Sequence, residues 1–429
     1  MTERAEVMLI AVAAAMAGIG VGIVTYADDG TITIDAFAAL AAHLAAFWGL
    51  LAAIRRWAPD ASRLLLAPVA LITALGAIEV FRIDPDLGRL QRWWLLLGAV
   101  IAMAVLALLA NRGLEVLRRY RYLFLAGALG LLLLPLLPSG WPLGGATING
   151  SRLWVRLHLG DRSLSFQPGE GAKVLLVVFL ASYLADTWRG LAAMPRSLGP
   201  LRLPEPRQLL PVLIAFGVSL MVLAYQRDLG ASLLLFVVFM LMLFVATARP
   251  TYLVAGGLLA VGGAFGAMSA FDHVALRVSA WLHPFSDFAG SGYQVAQGMF
   301  ALSYAGVFGS GIGNGAPYLI PAAATDYIYV AIVEEMGLAT GLAMLAAYAL
   351  VVSVGFGIAV RAADRFRSLL AAGLTITLAV QTLLIVGGVT RLLPLTGITL
   401  PFASYGGSSL LANMTIVALL ARVSHEERS

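Results

Sequence analysis

Residues 166–184 read F-Q-P-G-E-G-A-K-V-L-L-V-V-F-L-A-S-Y-L, an apolar run that carries Glu170 and, one helical turn later, Lys173. Lys173 is the only lysine among 429 residues; every other basic residue is arginine. A charge at mid-bilayer costs roughly 2.5–3.5 kcal/mol on insertion scales, so such residues usually face a cavity or a partner. The i, i+3 spacing puts both charges on one helix face, where each offsets the other. From these residues alone two readings stay open: a structural ion pair between helices, or a polar site inside a membrane protein.

The rest of the chain sets that run in its class. Hydrophobic residues make up 60% and charged residues 12%, about half the charge of a soluble domain, and the mean hydropathy is +0.90. The expectation is an all-α polytopic membrane protein. No A-x-A-like cleavage site precedes the first apolar segment, so residues 6–26 read as a retained anchor helix. The absence of cysteine excludes disulfides, thiolate chemistry and Cys-ligated metal. A pI near 9.6 follows from arginine topology and needs no nucleic acid.

About twelve segments are long enough to span some 30 Å of hydrocarbon: 6–26, 36–54, 62–80, 93–111, 119–137, 171–188, 208–225, 229–247, 251–270, 325–352, 367–389 and 400–421. With the N-terminus inside, eighteen arginines fall on inner segments and nine on outer ones. That bias predicts cytoplasmic termini. The predicted organisation is residues 1–60 as two extra N-terminal helices, 61–424 as the core with a large outer loop at 271–324, and 425–429 as a tail. The large loop is rich in aromatics and predicts short amphipathic helices. A second outer loop, 138–169, carries Asn149-Gly150-Ser151, a tripeptide that matches the glycosylation pattern but is common by chance.

The polar groups that remain are few: Glu170, Lys173, Asp228, Asp287, Asp326, Glu334 and Glu335. Asp287 lies in H-P-F-S-D-F-A-G-S-G-Y-Q (283–294), where Gly290 and Gly292 let the backbone approach a ligand closely. A carboxylate there suits a general base, although an aspartate beside glycines is more often a turn or cap. Gly309-Ser310-Gly311-Ile312-Gly313-Asn314-Gly315 follows no strand, which argues against a dinucleotide loop and for a flexible hinge. The five histidines show no ligand spacing, so any metal is an oxygen-ligated divalent ion held by carboxylates and substrate phosphates. In 394–413, P-L-T-G-I-T-L-P-F-A-S-Y-G-G-S-S-L-L-A-N, prolines and paired glycines interrupt an apolar segment. Irregular backbone at membrane depth is tolerated only in contact with protein or a cavity.

This last block resembles the signature of the SEDS family (shape, elongation, division and sporulation: RodA, FtsW and SpoVE proteins). Five more blocks stand in the family's order: N-G-S-R-L-W-V-R-L (149–157), F-Q-P-G-E-G-A-K (166–173), Q-R-D-L-G-A-S-L (226–233), G-S-G-Y-Q-V-A-Q (290–297) and T-D-Y-I-Y-V-A-I-V-E-E-M-G (325–337). Two helices ahead of a ten-helix core are similar to actinobacterial RodA-type members. The resemblance implies a peptidoglycan glycosyltransferase that polymerises lipid II into β-1,4 glycan strands and releases undecaprenyl diphosphate, in the service of elongation. It implies Asp287 as the catalytic base. It also implies substrate contacts from Glu170, Lys173, Arg152, Trp154, Asp326, Ser404, Gly406 and Ser408, and a divalent cation (Mg or Mn) that offsets diphosphate charge. Its implied partner is a class B penicillin-binding protein; the bilayer is its setting, the cell membrane its location.

Four departures stand out: Gly169 for a usual Ser, Arg227 for Pro, His283 in a W-L-D-P-like run, and Arg391 for a common Gly. None removes a core position. Two other classes of function were weighed. A transporter suits broken helices and a central ion pair but should show an internal repeat, and none is seen. A non-enzymatic scaffold would be indifferent to Asp287→Ala.

Overall fold

A computed structural model of the chain describes residues 2–138, 141, 143–148, 151–159, 162–193, 196–198, 201–203 and 206–427. Asn149 and Gly150, and with them most of the sequon-like tripeptide, lie outside the described residues. The helices in order are α1 (Glu3–Asp29), α2 (Ile34–Trp57), α3 (Leu66–Ile83), α4 (Pro85–Arg112), α5 (Glu115–Arg119), α6 (Arg121–Leu133), α7 (Pro168–Ala193), α8 (Pro206–Tyr225), α9 (Leu229–Thr247), α10 (Pro250–Ala270), α11 (Asp272–Leu282), α12 (Tyr293–Tyr304), α13 (Ile328–Arg361), α14 (Arg365–Val389) and α15 (Gly407–Glu426). Among the described residues, eleven helices are long and apolar enough to cross a membrane. The twelfth expected span, 119–137, is a shorter apolar helix, α6, extended by a 3-10 turn at Leu134–Leu136. The fold is that of an all-α polytopic membrane protein.

Local chemistry sets the ends of these helices. Thr2 caps α1 by accepting from the Ala5 amide, and Gly30, at φ 69°, ends it in the left-handed region. α8 and α9, joined in sequence only by Gln226-Arg227-Asp228, are two separate helices. Arg227 turns the chain at φ 63°, and the Asp228 side chain accepts the Ala231 amide at 2.9 Å to start α9.

Two small sheets accompany the helices. β1 (Leu143–Ile148), β2 (Ser151–Leu159) and β3 (Arg162–Phe166) form an antiparallel meander, with Trp154 opposite Ala146 and Arg156 opposite Ser165. β4 (Arg196–Leu198) and β5 (Leu201–Leu203) form a hairpin. The outer loop expected at 138–169 thus contains strands. The alternation L-W-V-R-L-H-L after Arg152 has the period-two pattern of a strand.

The chain divides into two compact units. One comprises residues 1–108, 264–354 and 381–429; the other comprises 109–263 and 355–380. In the first, Asp35 at the start of α2 binds Arg92 at 2.7 Å and Arg89 at 3.0 Å, tying α2 to α4. In the second, Asp186 of α7 takes Arg118 at 2.7 Å and also pairs with Arg121. The Arg365 guanidinium lies 3.9 Å from the Trp188 ring centroid, within cation–π range.

α13 is broken at Gly337, whose φ of 85° and ψ of 164° are not helical. The preceding loop repairs the gap. Leu338 and Ala339 donate their amides to Gly306 and Val307 carbonyls, while Ser310 and Gly311 donate to Glu334 and Glu335 carbonyls. The Glu335 carboxylate accepts the Gly313 amide at 2.9 Å and the Gly315 amide at 3.2 Å, and Arg82 from α3 pairs with it at 3.2 Å. The glycine-rich segment expected to be a flexible hinge is therefore clamped on all sides.

Candidate functional site

Asp287 lies in the turn that follows α11 and is exposed. Its Oδ2 accepts two hydrogen bonds from Ser291, one from the amide at 2.8 Å and one from the hydroxyl at 2.9 Å. Both Gly290 and Gly292 donate their amides to the Asp287 carbonyl at 3.1 Å. The carboxylate folds back over Gly290 so closely that a Cβ there would stand 2.4 Å from Oδ2. The Ser291 amide, followed by its hydroxyl, holds the carboxyl below its usual value of 3.8. Asp287 is thus ionised at neutral pH and fixed in orientation.

Neighbouring elements hold the turn in place. Phe288 packs against Tyr293 and Phe300 of α12 at 5.9 and 6.2 Å between ring centroids. Arg391, one of the departures noted above, secures α11 from its C-terminal end. Its Nε donates to the Trp281 carbonyl at 2.8 Å and its Nη2 to the Leu282 carbonyl at 3.0 Å. A guanidinium on the last carbonyls of a helix is a favourable cap, which a glycine at 391 would not supply.

Beside this turn opens a cleft of about 140 Å³ lined by Arg277, Trp281, Ser291, Gln294 and Asp326, among others. Arg277 donates to the Thr396 carbonyl at 3.0 Å. Arg277 and Asp326 both come within 4 Å of where a Cβ on Gly397 would sit. Burial pushes the Asp326 carboxyl up to about 6, against the pull of Thr325 and Arg277. The unfolded carboxyl releases its proton near 3.8, so stability from this group is full below that pH and is lost as pH rises through about 6. Asp326→Asn is expected to flatten that slope, as thermal midpoints scanned across the interval would show.

The broken segment before α15 frames the same cleft. The Ser404 hydroxyl donates to the Thr325 carbonyl at 2.5 Å and accepts the Leu400 amide at 2.8 Å. Tyr405 donates its amide to Ala324 at 2.8 Å. Gly406 stands at the N-cap of α15 and Ser408 in its first turn. Thr399 and Ser409 hydroxyls meet at 2.8 Å. Ser404 is therefore tied to the residue before Asp326, and Ser291, which lines the cleft with Asp326, links Asp287 to it. Sequence reasoning missed Arg277, Ser291 and Gln294. The last two sit inside the quoted block 290–297, and their proximity to Asp287 was the available signal.

The remaining sequence-derived residues belong to the second unit. The Lys173 ammonium lies 2.7 Å from Glu170 Oε2 in the first turns of α7, with side chains only 4% and 12% exposed. The contact rests on proximity rather than alignment, since Glu170 Oε2 makes no hydrogen bond of good geometry. Arg152 Nη2 donates to the Leu137 carbonyl at 2.7 Å, which commits part of its fork to the protein. Trp154 lies on β2, half-buried.

The fold and these features define a multi-pass membrane protein with a carboxylate-bearing turn beside a cleft that holds Arg277, Gln294 and Asp326. Residues 63–429 match the family model FTSW_RODA_SPOVE, described as a cell cycle protein, and the chain belongs to that family. It is 40% identical to the peptidoglycan glycosyltransferase RodA of Mycobacterium tuberculosis, covering 99% of this chain and 91% of that protein. It is 31% identical to the stage V sporulation protein E of Bacillus subtilis, covering 85% and 95%. Among solved structures it is similar to a chain of a peptidoglycan synthase complex that coordinates polymerization and crosslinking, with a TM-score of 0.69, 26% identity and coverage of 86% and 98%. The Thermus thermophilus rod shape determining protein RodA gives 0.59, 25%, 86% and 98%.

Proposed function

We propose that the chain is a peptidoglycan glycosyltransferase of the RodA type, acting at the cell membrane with both termini in the cytoplasm, and that lipid II is its substrate. The observation that carries this reading is the Asp287 carboxylate, oriented by Ser291 at the edge of the cleft. Asp287 accepts the proton of the 4-hydroxyl of one lipid-linked disaccharide as that oxygen bonds to the anomeric carbon of another. The anomeric C–O bond breaks, undecaprenyl diphosphate leaves with the electron pair, and configuration inverts to a β-1,4 linkage. A carboxylate held low is a weak base. It suits a hydroxyl that turns acidic only as its new bond forms.

Asp326, Ser404, Gly406 and Ser408 are the substrate-binding positions of the first unit in this reading, and Glu170, Lys173, Arg152 and Trp154 those of the second. A divalent cation would neutralise diphosphate charge. No cluster of three or more His, Cys, Asp or Glu suited to hold it occurs among the described residues. The ion's ligands would be mainly substrate oxygens, and no step here passes through it. A class B penicillin-binding protein is the proposed partner, supported by the synthase complex to which the fold is similar.

The test is polymerisation of lipid II by the purified chain with its penicillin-binding partner, the transpeptidase site blocked. Glycan strands are expected; their absence with divalent ion supplied would return the transporter reading. Gly290→Ala gives a finer check. Its Cβ would displace the Asp287 carboxylate, and an ångström of misplacement costs up to about 10²-fold in rate. A Gly290→Ala enzyme that polymerises at the wild-type rate would show that the folded-back carboxylate is not the working geometry.

A further inference from the structure

A groove on α1 and α2 lies far in sequence from Asp287, ahead of the residues that match the family model. It has a volume of about 590 Å³ and is lined by Val7, Trp48, Leu51, Ala52, Arg55 and Arg56. Ala52 lies four residues after Trp48, and Arg55 and Arg56 lie three and four residues after Ala52, so one side of α2 presents all four. Arg55 and Arg56 occupy the last turn, and Trp48 lies seven residues back, roughly 10 Å deeper along the axis. The groove thus has a cationic mouth and an apolar stem, both on a helix long enough to cross the membrane.

Protein balances only part of the charge at the mouth. Glu3 of α1 lies 3.0 Å from Arg55 Nη1, with both side chains exposed. Arg56 has no hydrogen-bond or ion-pair partner among the described residues. Arginines placed only to set topology need no groove beneath them. A planar guanidinium fork matches phosphate geometry and is weakly hydrated.

We propose that this groove binds an anionic phospholipid, with its phosphate held by Arg55 and Arg56 and an acyl chain lying along Val7, Trp48 and Leu51. The occupant is a lipid rather than a partner helix because Arg56 leaves a positive charge at the mouth that no described protein group offsets. An acyl chain is already the solvent of this face, so only the headgroup needs recognition. Each arginine near an anionic headgroup favours binding by about fivefold, so the pair selects anionic over zwitterionic lipid by an order of magnitude or more.

The test uses the full-length chain in nanodiscs of phosphatidylcholine with added phosphatidylglycerol, read by native mass spectrometry of the ejected protein and by thermal unfolding. Wild type is expected to retain one phosphatidylglycerol about tenfold more often than phosphatidylcholine, with a midpoint that rises with phosphatidylglycerol content. Arg55→Gln/Arg56→Gln is expected to lose both effects while keeping its midpoint in phosphatidylcholine alone. Should the double variant be less stable there, Arg56→Gln, which breaks no contact, carries the comparison. Equal retention of the two lipids, or undiminished retention by the variants, overturns the proposal. So does displacement of the lipid by soluble glycerol phosphate, which would make the site one for phosphate without the chain.

Discussion

Asp287→Asn is expected to lower lipid II polymerisation by about 10²–10⁴-fold, the usual worth of a positioned general base. Asparagine keeps the shape of the side chain, and its carbonyl oxygen can still accept the Ser291 amide and hydroxyl that now bind Oδ2. The turn should therefore survive, and an exposed site should leave the unfolding midpoint nearly unchanged. Loss of rate without loss of stability separates chemistry from folding. A variant that retains more than a tenth of the wild-type rate would move the base elsewhere, and Asp326, in the adjoining cleft, would be the next candidate.

Lys173→Met should act on stability as well as rate. Glu170 would lose the cation beside it in a setting where its side chain is only 12% exposed. Breaking a buried pair from one side costs about 3–5 kcal/mol. Removing both charges in Glu170→Gln/Lys173→Met should return much of that stability, since an apolar or neutral pair of similar size is often tolerated. Activity should not return with it if Lys173 holds diphosphate. Recovery of both would reduce the pair to a structural tie, and unfolding midpoints measured beside polymerisation rates decide the matter.

The helical fold was legible because apolar length is a coarse signal that survives local error. Each of the twelve expected spans overlaps a helix, including the pair around Arg227, because a bilayer admits few alternatives, although the last, 400–421, starts seven residues ahead of α15. The meander of β1–β3 was less visible, since Arg152 and Trp154 were read for their chemistry rather than for their alternation with Leu153 and Val155. Asp287 could be picked out from its neighbours in sequence. Its tie to Ser291 needed the backbone to fold back over Gly290, which no one-dimensional pattern reports. Arg277 and Asp326 are 49 residues apart and meet near Gly397 only once α11, α13 and the broken segment are assembled. The clamp on 309–315 was misread for a similar reason: glycines signal conformational freedom, and the carboxylate that removes it, Glu335, comes twenty residues after Gly315.

The repair of α13 at Gly337 has a bearing on how the protein is made. Four backbone hydrogen bonds across that break come from residues 306–311 rather than from the helix itself. A newly synthesised α13 entering the bilayer without them would present bare amides and carbonyls to hydrocarbon, at several kcal/mol for each. The segment that satisfies them lies just upstream, so it has already left the ribosome when α13 emerges. Biogenesis of this span is therefore a joint event in which loop and helix must enter their places together, and the order of the chain supplies the mould before the part it shapes.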